Sequence, residues 1–480
     1  MSYRVLNTDA VTGLRQLPER SVHVCVTSPP YFAMRSYLPK DHPDKPLEIG
    51  SEKTVEAFIA AMVTVFREVR RVLRDDGVLW LNLGDGYSAG GWECRRRNVV
   101  GARSMDSEER KPSTTSGLSE GNLQNIPHRV AEALRADGWV WRQTIVWAKR
   151  SPMPESVNGW RWQRCGKRKW PESLTDRNPE LRRERQQGRD FGLPVFEPCP
   201  GCSKCAENGG YVLRRGAGRC TTAHEYLFLL TKTNRYFWDS EASKERASRG
   251  SCGSRFDTGK TGSRDGGHRT QYGYRDGEQR NPRSVWTLSS EPTSVRHFAT
   301  FPSELVRRCL ASSPAAGGVC AACGAPYAPV VHSQRVPTRP AINNKGFKHS
   351  GGDEVGQRSA SSPNLDPQRH VAVSGCVGYR ATCSCAAAEK TGPMILDPFA
   401  GTGTVAGVCE FLHSDSILIE LNHTYAAMID ARVADVCRRL HAKAKGVRTR
   451  RPSPQQPTLF GAEKDKACDR SHQPRWPGAA

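Results

Sequence analysis

Met394-Ile395-Leu396-Asp397-Pro398-Phe399-Ala400-Gly401-Thr402-Gly403-Thr404 is an apolar run cut off by an acid, a proline and two glycines. The run predicts a short buried strand over Met394 to Asp397, followed by a helix over Thr404 to Phe411. Where a strand gives way to a helix, glycines let a ligand press against backbone amides. Ile417 to Glu420 reads as the next strand. Glu420 ends it 17 residues after Gly403, where an acidic side chain can accept hydrogen bonds from ribose hydroxyls. The same spacing also serves an ordinary strand-to-helix turn, so a Gly-x-Gly alone does not specify a ligand.

Working outward, the rest of the apolar pattern alternates between strand and helix. Val22 to Val26 is a strand stopped by Ser28-Pro29-Pro30. Val55, Phe58, Ile59, Met62, Phe66, Val69 and Leu73 recur at helical spacing, and Asp76-Gly77 turns the chain into a strand from Val78 to Leu83. A helix from about Pro127 to Asp137, a strand from Trp139 to Trp147, a strand at Tyr226 to Leu230, a helix at Ser303 to Ala311 and a closing helix from Tyr425 to about Leu440 follow. This is the pattern of an α/β fold, a doubly wound, mostly parallel sheet covered by helices.

The Asp-Pro-Phe-Ala-Gly-Thr-Gly-Thr segment resembles the S-adenosylmethionine-binding motif of the amino-group DNA methyltransferases. Ile419-Glu420-Leu421-Asn422 resembles the acidic strand end that holds the ribose in that family. The resemblance implies that Gly401 and Gly403 approach the cofactor, that Phe399 borders it, that Asp397 sits near its amino-acid moiety and that Glu420 and Asn422 belong to the ribose side. His297 to Leu305 resembles the segment lining the methionine side of the same pocket. Asn7-Thr8-Asp9 resembles a segment whose acid, here Asp9, lies near the adenine.

Ser28-Pro29-Pro30-Tyr31 resembles the catalytic motif of the β-type members, in which the catalytic segment comes first in the chain and the cofactor motif last. That is a circularly permuted order, harmless because both loops need only meet at the carboxyl ends of neighbouring strands. Gly77 to Gly86, Pro127 to Lys149 and Ala223 to Tyr236 extend the resemblance to roughly half the chain. The chemistry fits these residues. An exocyclic amine is a poor nucleophile because its lone pair is delocalised into the ring. Hydrogen bonds to the Ser28 hydroxyl and the Pro29 carbonyl would favour a tetrahedral nitrogen able to attack a sulfonium methyl in line. The two prolines stiffen the loop, Tyr31 can stack on a base rotated out of the duplex, and Phe32 extends that platform. Serine at position 28 is the form that the family associates with N4-methylcytosine, while aspartate is associated with N6-methyladenine. Cytosine-N4 is therefore preferred, with adenine-N6 second. A related motif for protein glutamine carries asparagine where this chain has Ser28. A third reading is a non-catalytic zinc-containing DNA-binding protein on a degenerate core, against which Ser28, Tyr31, Gly401 and Gly403 stand intact.

Seventeen cysteines in a reducing compartment point to metal ligands before disulfides. Cys199, Cys202 and Cys205 lie within seven residues, with Cys165 or Cys220 to complete a tetrahedral zinc set. Cys320-Ala321-Ala322-Cys323-Gly324 with Cys383 and Cys385 makes a second set, Cys376 being a substitute. Free buried thiols are the plain alternative for both. Pro198-Cys199 alone fits neither a ring-carbon cytosine methyltransferase nor a zinc deaminase. The latter needs an upstream His-x-Glu, and His23, His42 and His128 lack it.

Lysine and arginine number 71 against 49 acids, a formal charge of +22, which favours a polyanionic partner such as double-stranded DNA. Trp160-Arg161-Trp162, Arg164, Lys167, Arg168, Lys169 and Trp170 interleave rings and charges, suited to phosphate contact and stacking or to a solvated basic face. Apolar runs fall short of the ~18 residues needed to span a bilayer, and the polar start lacks a signal-peptide core, so no membrane partner and a cytoplasmic place, in a bacterial cell or phage-infected host, are expected. Gln456-Pro457-Thr458-Leu459-Phe460 resembles the short peptides that dock on bacterial sliding clamps. A cognate restriction endonuclease is a further expected partner.

The expected organisation is a catalytic half over 1–150 with a mobile loop at about 88–120, then a Cys-rich basic insertion over 151–222. A return to the core over 223–240 precedes a flexible basic region suited to target recognition over 241–296. A cofactor-pocket helix over 297–314, a zinc-ribbon-like insertion over 315–390, an S-adenosylmethionine-binding half over 391–441 and a disordered tail over 442–480 complete it.

Overall fold

The computed structural model describes residues 3–88, 118–119, 121–152, 155, 157–169, 195–246, 279–291, 301–337, 370–385 and 389–445. The expectations for most of the 88–120 loop, for 247–278, for His297 to Thr300, for Trp170 and for the tail with Gln456 to Phe460 lie outside them.

The sheet has eight strands: β1 Tyr3–Leu6, β2 Val22–Thr27, β3 Leu73–Leu83, β4 Val140–Lys149, β5 His224–Thr231, β6 Val285–Leu288, β7 Met394–Asp397 and β8 Asp415–Ile419. Their order is β1-β8-β7-β2-β3-β5-β4-β6, and β5 alone runs antiparallel to its neighbours. The sheet is thus mostly parallel, as an α/β fold requires. The seven parallel strands end at one rim, where β5 begins.

Both faces are apolar because alternate residues point to opposite sides. On β3, Leu79, Leu81 and Leu83 join one buried cluster while Val78 and Trp80 join the other. On β5, Phe228 and Leu230 oppose Leu227 and Leu229 in the same way. The first face is covered by α1 Ala10–Arg15, α2 Val55–Val72 and α3 Ile126–Ala136, the second by α4 Ser303–Ala311, α5 Thr404–Phe411 and α7 Ile429–Ala444. α2 starts where the Thr54 hydroxyl accepts the Ala57 amide, a cap worth about 1 kcal/mol. Its Phe58, Met62, Phe66 and Val69 are fully buried, each contributing roughly 1.5–3 kcal/mol.

The structure differs from the sequence reading at a few elements. β1 and α1 were not anticipated. β3 begins at Leu73, and the Asp76-Gly77 segment is an irregularity within it, where the register against β2 shifts between Val22 and Val24. A Cβ on Gly77 would come within 2.8 Å of the His23 carbonyl oxygen. The closing helix is two pieces, α6 His423–Ala426 and α7. Val285–Leu288, inside the stretch expected to be flexible, is an edge strand parallel to β4 that buries Trp286 and Leu288. Among the described residues no helix is long and apolar enough to cross a membrane.

Candidate active site

A cleft of about 850 Å³ opens at the carboxyl rim of the sheet, with Ser28 and Pro30 on one wall and Phe399, Gly401 and Glu420 on the other. Asp9, just beyond β1, also lines it. The two sequence motifs, 370 residues apart, thus face one space.

The glycine loop is built on positive backbone angles, φ +54° at Gly401 and +88° at Gly403, a region open to glycine and costly for other residues. The Gly401 amide donates to Glu420 Oε2 at 2.7 Å and the Asn422 amide to Oε1 at 2.8 Å. Burial pushes the Glu420 carboxyl up to about 7 against these two amides, and the nearby Asp397 adds to the rise. Asn422 caps α6, accepting the Thr424 amide at 2.8 Å, and its Nδ2 donates to the Tyr37 carbonyl at 2.7 Å. Asp9 caps α1, accepting the Thr12 amide. Asp397 is fully buried beneath the loop: Oδ1 accepts the Thr27 hydroxyl at 2.7 Å and the Phe399 amide at 3.1 Å, while Oδ2 has no hydrogen-bond partner. Burial raises its carboxyl to about 7.

On the opposite wall, Ser28 Oγ accepts from Asn82 Nδ2 at 3.2 Å and lies 3.4 Å from the Tyr31 hydroxyl. Tyr31 donates to Glu225 Oε2 at 2.6 Å, Asn82 reaches the same oxygen at 2.9 Å, and Lys149 Nζ reaches Oε1 at 2.5 Å. Burial, then the Glu225 charge, holds the Tyr31 phenol well above its ordinary value, so it remains a donor. The Tyr31 ring lies over Gly84, where a Cβ would come within 2.6 Å of Cε2. Pro29 is buried and Pro30 half-buried. Phe32, expected to extend a stacking platform, packs instead into the core against Phe58 at 5.6 Å. This packing turns the ring inward, a correction to the sequence reading.

Asn82, Glu225 and Lys149 escaped the sequence reading. Asn82 did leave a signal, as a polar residue between Leu81 and Leu83 in a fully apolar run. Glu225 and Lys149 stand at strand ends, where charge is ordinary, and nothing local marks them.

Among the described residues, two groups of four thiols have geometry for a metal. Cys165, Cys199, Cys202 and Cys205 have Sγ atoms within 4.8 Å of one another, as do Cys320, Cys323, Cys383 and Cys385. In the first, Cys165 and Cys202 are 3.8 Å apart and Cys202 and Cys205 3.6 Å. Thiolates about 2.3 Å from a tetrahedral zinc would be about 3.8 Å apart. Cys220 is exposed and outside the first group, and Cys376, donating to the Gly378 carbonyl, is outside the second.

A family profile described as DNA methylase matches residues 22–321. Similar proteins include Type II methyltransferase M.XycI of Xanthomonas campestris pv. cyanopsidis, 34% identical over 310 residues, covering 64% of this chain and 72% of that protein. Type II methyltransferase M.Cfr9I of Citrobacter freundii is 32% identical over 312 residues, covering 64% and 72%. The solved PvuII DNA methyltransferase (cytosine-N4-specific) aligns over 92% of this chain and 93% of that one at 11% identity, with a TM-score of 0.41. A likeness of that size decides nothing about the base.

Proposed function

The chain belongs to the amino-group DNA methylase family of restriction-modification type, and from that premise we propose that it methylates the exocyclic N4 amine of cytosine at specific sites in double-stranded DNA. The observation that carries the reading is the single cleft shared by Ser28 and the Gly401 loop. S-adenosylmethionine, when bound there, supplies an activated methyl group. The glycines leave backbone room beside Phe399, and the Glu420 carboxylate oxygens retain capacity for ribose hydroxyls.

The protein's own part is orientation. A cytosine turned out of the duplex would place its amine between the Ser28 hydroxyl and the Pro29 carbonyl. Both accept hydrogen bonds from the amine, which draws the nitrogen lone pair out of conjugation and aims it at the methyl. Asn82 holds Ser28 Oγ, Tyr31 and Glu225 accept from Asn82, and Lys149 holds Glu225. The base choice rests on the serine at position 28.

The proposal includes structural zinc at both cysteine groups, a clamp-docking role for Gln456 to Phe460 and a cognate endonuclease as functional partner. Expression in a host without DNA methylation, with nucleosides identified by mass, tests the main claim. N4-methylcytosine is expected, lost in Ser28→Ala; N6-methyladenine alone overturns the cytosine assignment. Equal clamp binding by a Leu459→Ala, Phe460→Ala variant would sink the docking idea.

A further inference from the structure

The two cysteine groups sit at opposite ends of the sheet, a difference invisible in their spacing. We propose that the module of Cys165, Cys199, Cys202 and Cys205 is a zinc-organised wall that docks duplex DNA beside the catalytic loop, while the Cys320 group serves the far end of the sheet. The first half rests on the reading of DNA as substrate.

The module's neck is part of the active-site rim. The chain leaves β4 at Lys149 and returns in β5 at His224, and the Lys149 amide donates to the Ala223 carbonyl at 2.8 Å. Lys149 and Glu225, the residues at the two stems, form the ion pair that receives Tyr31. Further out, Arg219 pairs with Glu155 at 2.6 Å and lies 4.1 Å over the ring of Tyr87, four residues beyond the end of β3. The wall therefore abuts the loop after β3 at the catalytic end.

Among the residues of this module from 155 to 220 whose burial is described, Cys205 alone is buried, so no apolar core is seen among them. A segment without a core needs another constraint, and a tetrahedral thiolate site supplies one. The Cys199 amide donates to the Cys165 carbonyl at 2.8 Å, beside the antiparallel pair Gly166–Pro198, and the Cys205 amide donates to the Cys202 carbonyl at 2.9 Å in a turn, so strand pairing and a turn present the four sulfurs.

What the module exposes suits a nucleic acid. Arg161–Arg164 pairs antiparallel with Tyr211–Arg214, Trp162 opposite Leu213 and Arg164 opposite Tyr211, so Trp162, Arg164 and Tyr211 share one face. Trp162 is 55% exposed and Tyr211 43%. Trp160 is 67% exposed, with the Arg215 guanidinium 4.5 Å over its ring. Among the described residues of the module, Arg161, Arg164, Lys204, Arg214 and Arg215 are exposed, against Glu197 and Glu207. Charge of this sign beside a base-modifying cleft matches a phosphate backbone, and the rings offer stacking surface.

The other group is pinned elsewhere. Arg74, near the start of β3, donates to the Cys323 carbonyl at 3.1 Å, and His23 Nε2 lies 3.0 Å from the Gly324 carbonyl. The Met394 amide, opening β7, donates to His23 Nδ1. These are amino ends of strands. The six-residue β2 alone puts them on the order of 16–20 Å from the catalytic rim.

The test is a salt-resolved titration of labelled duplex DNA with the full chain, zinc content and S-adenosylmethionine affinity being measured alongside. A Trp162→Ala, Arg164→Ala variant should keep two zinc ions and the parent's cofactor affinity. It should bind DNA at least tenfold more weakly, with a salt slope shallower by about 0.9 for the lost phosphate contact. DNA affinity within twofold of the parent overturns the docking surface. A Cys199→Ser, Cys202→Ser variant should lose one zinc and the same DNA affinity while binding cofactor; unchanged DNA binding without that zinc overturns the metal's part. A Cys320→Ser, Cys323→Ser variant should lose the other zinc and melt earlier yet bind DNA within twofold below its Tm; a tenfold loss there overturns the division. A parent that binds DNA but neither binds cofactor nor transfers methyl would instead count against the methyltransferase reading.

Discussion

The Thr27 hydroxyl donates to Asp397 Oδ1 at 2.7 Å in the buried floor between β2 and β7. One residue precedes the Ser28 loop and the other opens the glycine loop, so this bond joins the two halves of the site. Thr27→Val keeps the shape and removes the donor, leaving the Asp397 carboxyl with the Phe399 amide as its remaining partner. The expected cost is about 1–3 kcal/mol for a buried acceptor left short. A lower Tm together with weaker cofactor binding is the expected result, checked by thermal melts and calorimetry; an unchanged cofactor affinity would show that the loops are not coupled through Thr27.

Glu225 is the shared acceptor for Tyr31 and Asn82 and the partner of Lys149. Glu225→Gln turns charge-assisted bonds into neutral ones and leaves Lys149 without its counter-charge. A loss of about 1.5–3 kcal/mol, felt at the catalytic loop, corresponds to a roughly ten- to hundredfold lower kcat. Cofactor affinity should stay within twofold, because Glu225 lies on the Ser28 wall. Single-turnover rates with saturating DNA distinguish the two effects.

Gly403 combines φ +88° with a neighbour that leaves no room: an added Cβ would lie 2.9 Å from Ile429 Cγ2. Gly403→Ala should therefore lower stability by at least about 1–2 kcal/mol from backbone strain alone. It should also weaken cofactor binding by moving the loop. A variant with the parent's Tm and cofactor affinity would mean that α7 yields freely.

Asp397 and Glu420 both have carboxyls raised to about 7 by burial. With folded values above the unfolded ones, their contribution is fully present below about pH 4 and is lost as pH rises through 7. The Tm of the cofactor-free protein should fall between pH 5 and 8 through these groups, and Asp397→Asn should flatten that fall. A ribose hydroxyl donating to Glu420 favours the ionised form, so cofactor affinity should tighten from pH 6 to 8 and lose that trend in Glu420→Gln. A parent whose affinity is flat across this range would remove Glu420 from ribose binding.

Much of the fold could be read directly from the chain. Strand Met394–Asp397 and helices Ser303–Ala311 and Thr404–Phe411 fall where apolar period, proline and glycine put them, because those signals act locally. Tyr3–Leu6 and Val285–Leu288 are four-residue strands whose existence depends on parallel partners far away in sequence, and short segments carry too little pattern to announce that. Phe32 shows the limit for side chains: its neighbours name the loop, but only the packing against Phe58 decides which way the ring turns.

By itself the sequence determined the α/β alternation, the two loops with their order along the chain, and the residue types able to grip an amine, a cofactor or a metal, since each is a matter of local spacing and chemistry. Tertiary structure decided which of these meet. It brought Ser28 and Gly401 to one cleft, grouped Asn82, Glu225 and Lys149 around Ser28 and Tyr31, and set one cysteine group on the stems at the carboxyl rim and its twin at the amino ends of the strands. The reason is that strand order and direction, not spacing along the chain, assign a residue to a neighbour and to a rim of the sheet. Strand order comes from long-range pairing and from the burial of both faces at once.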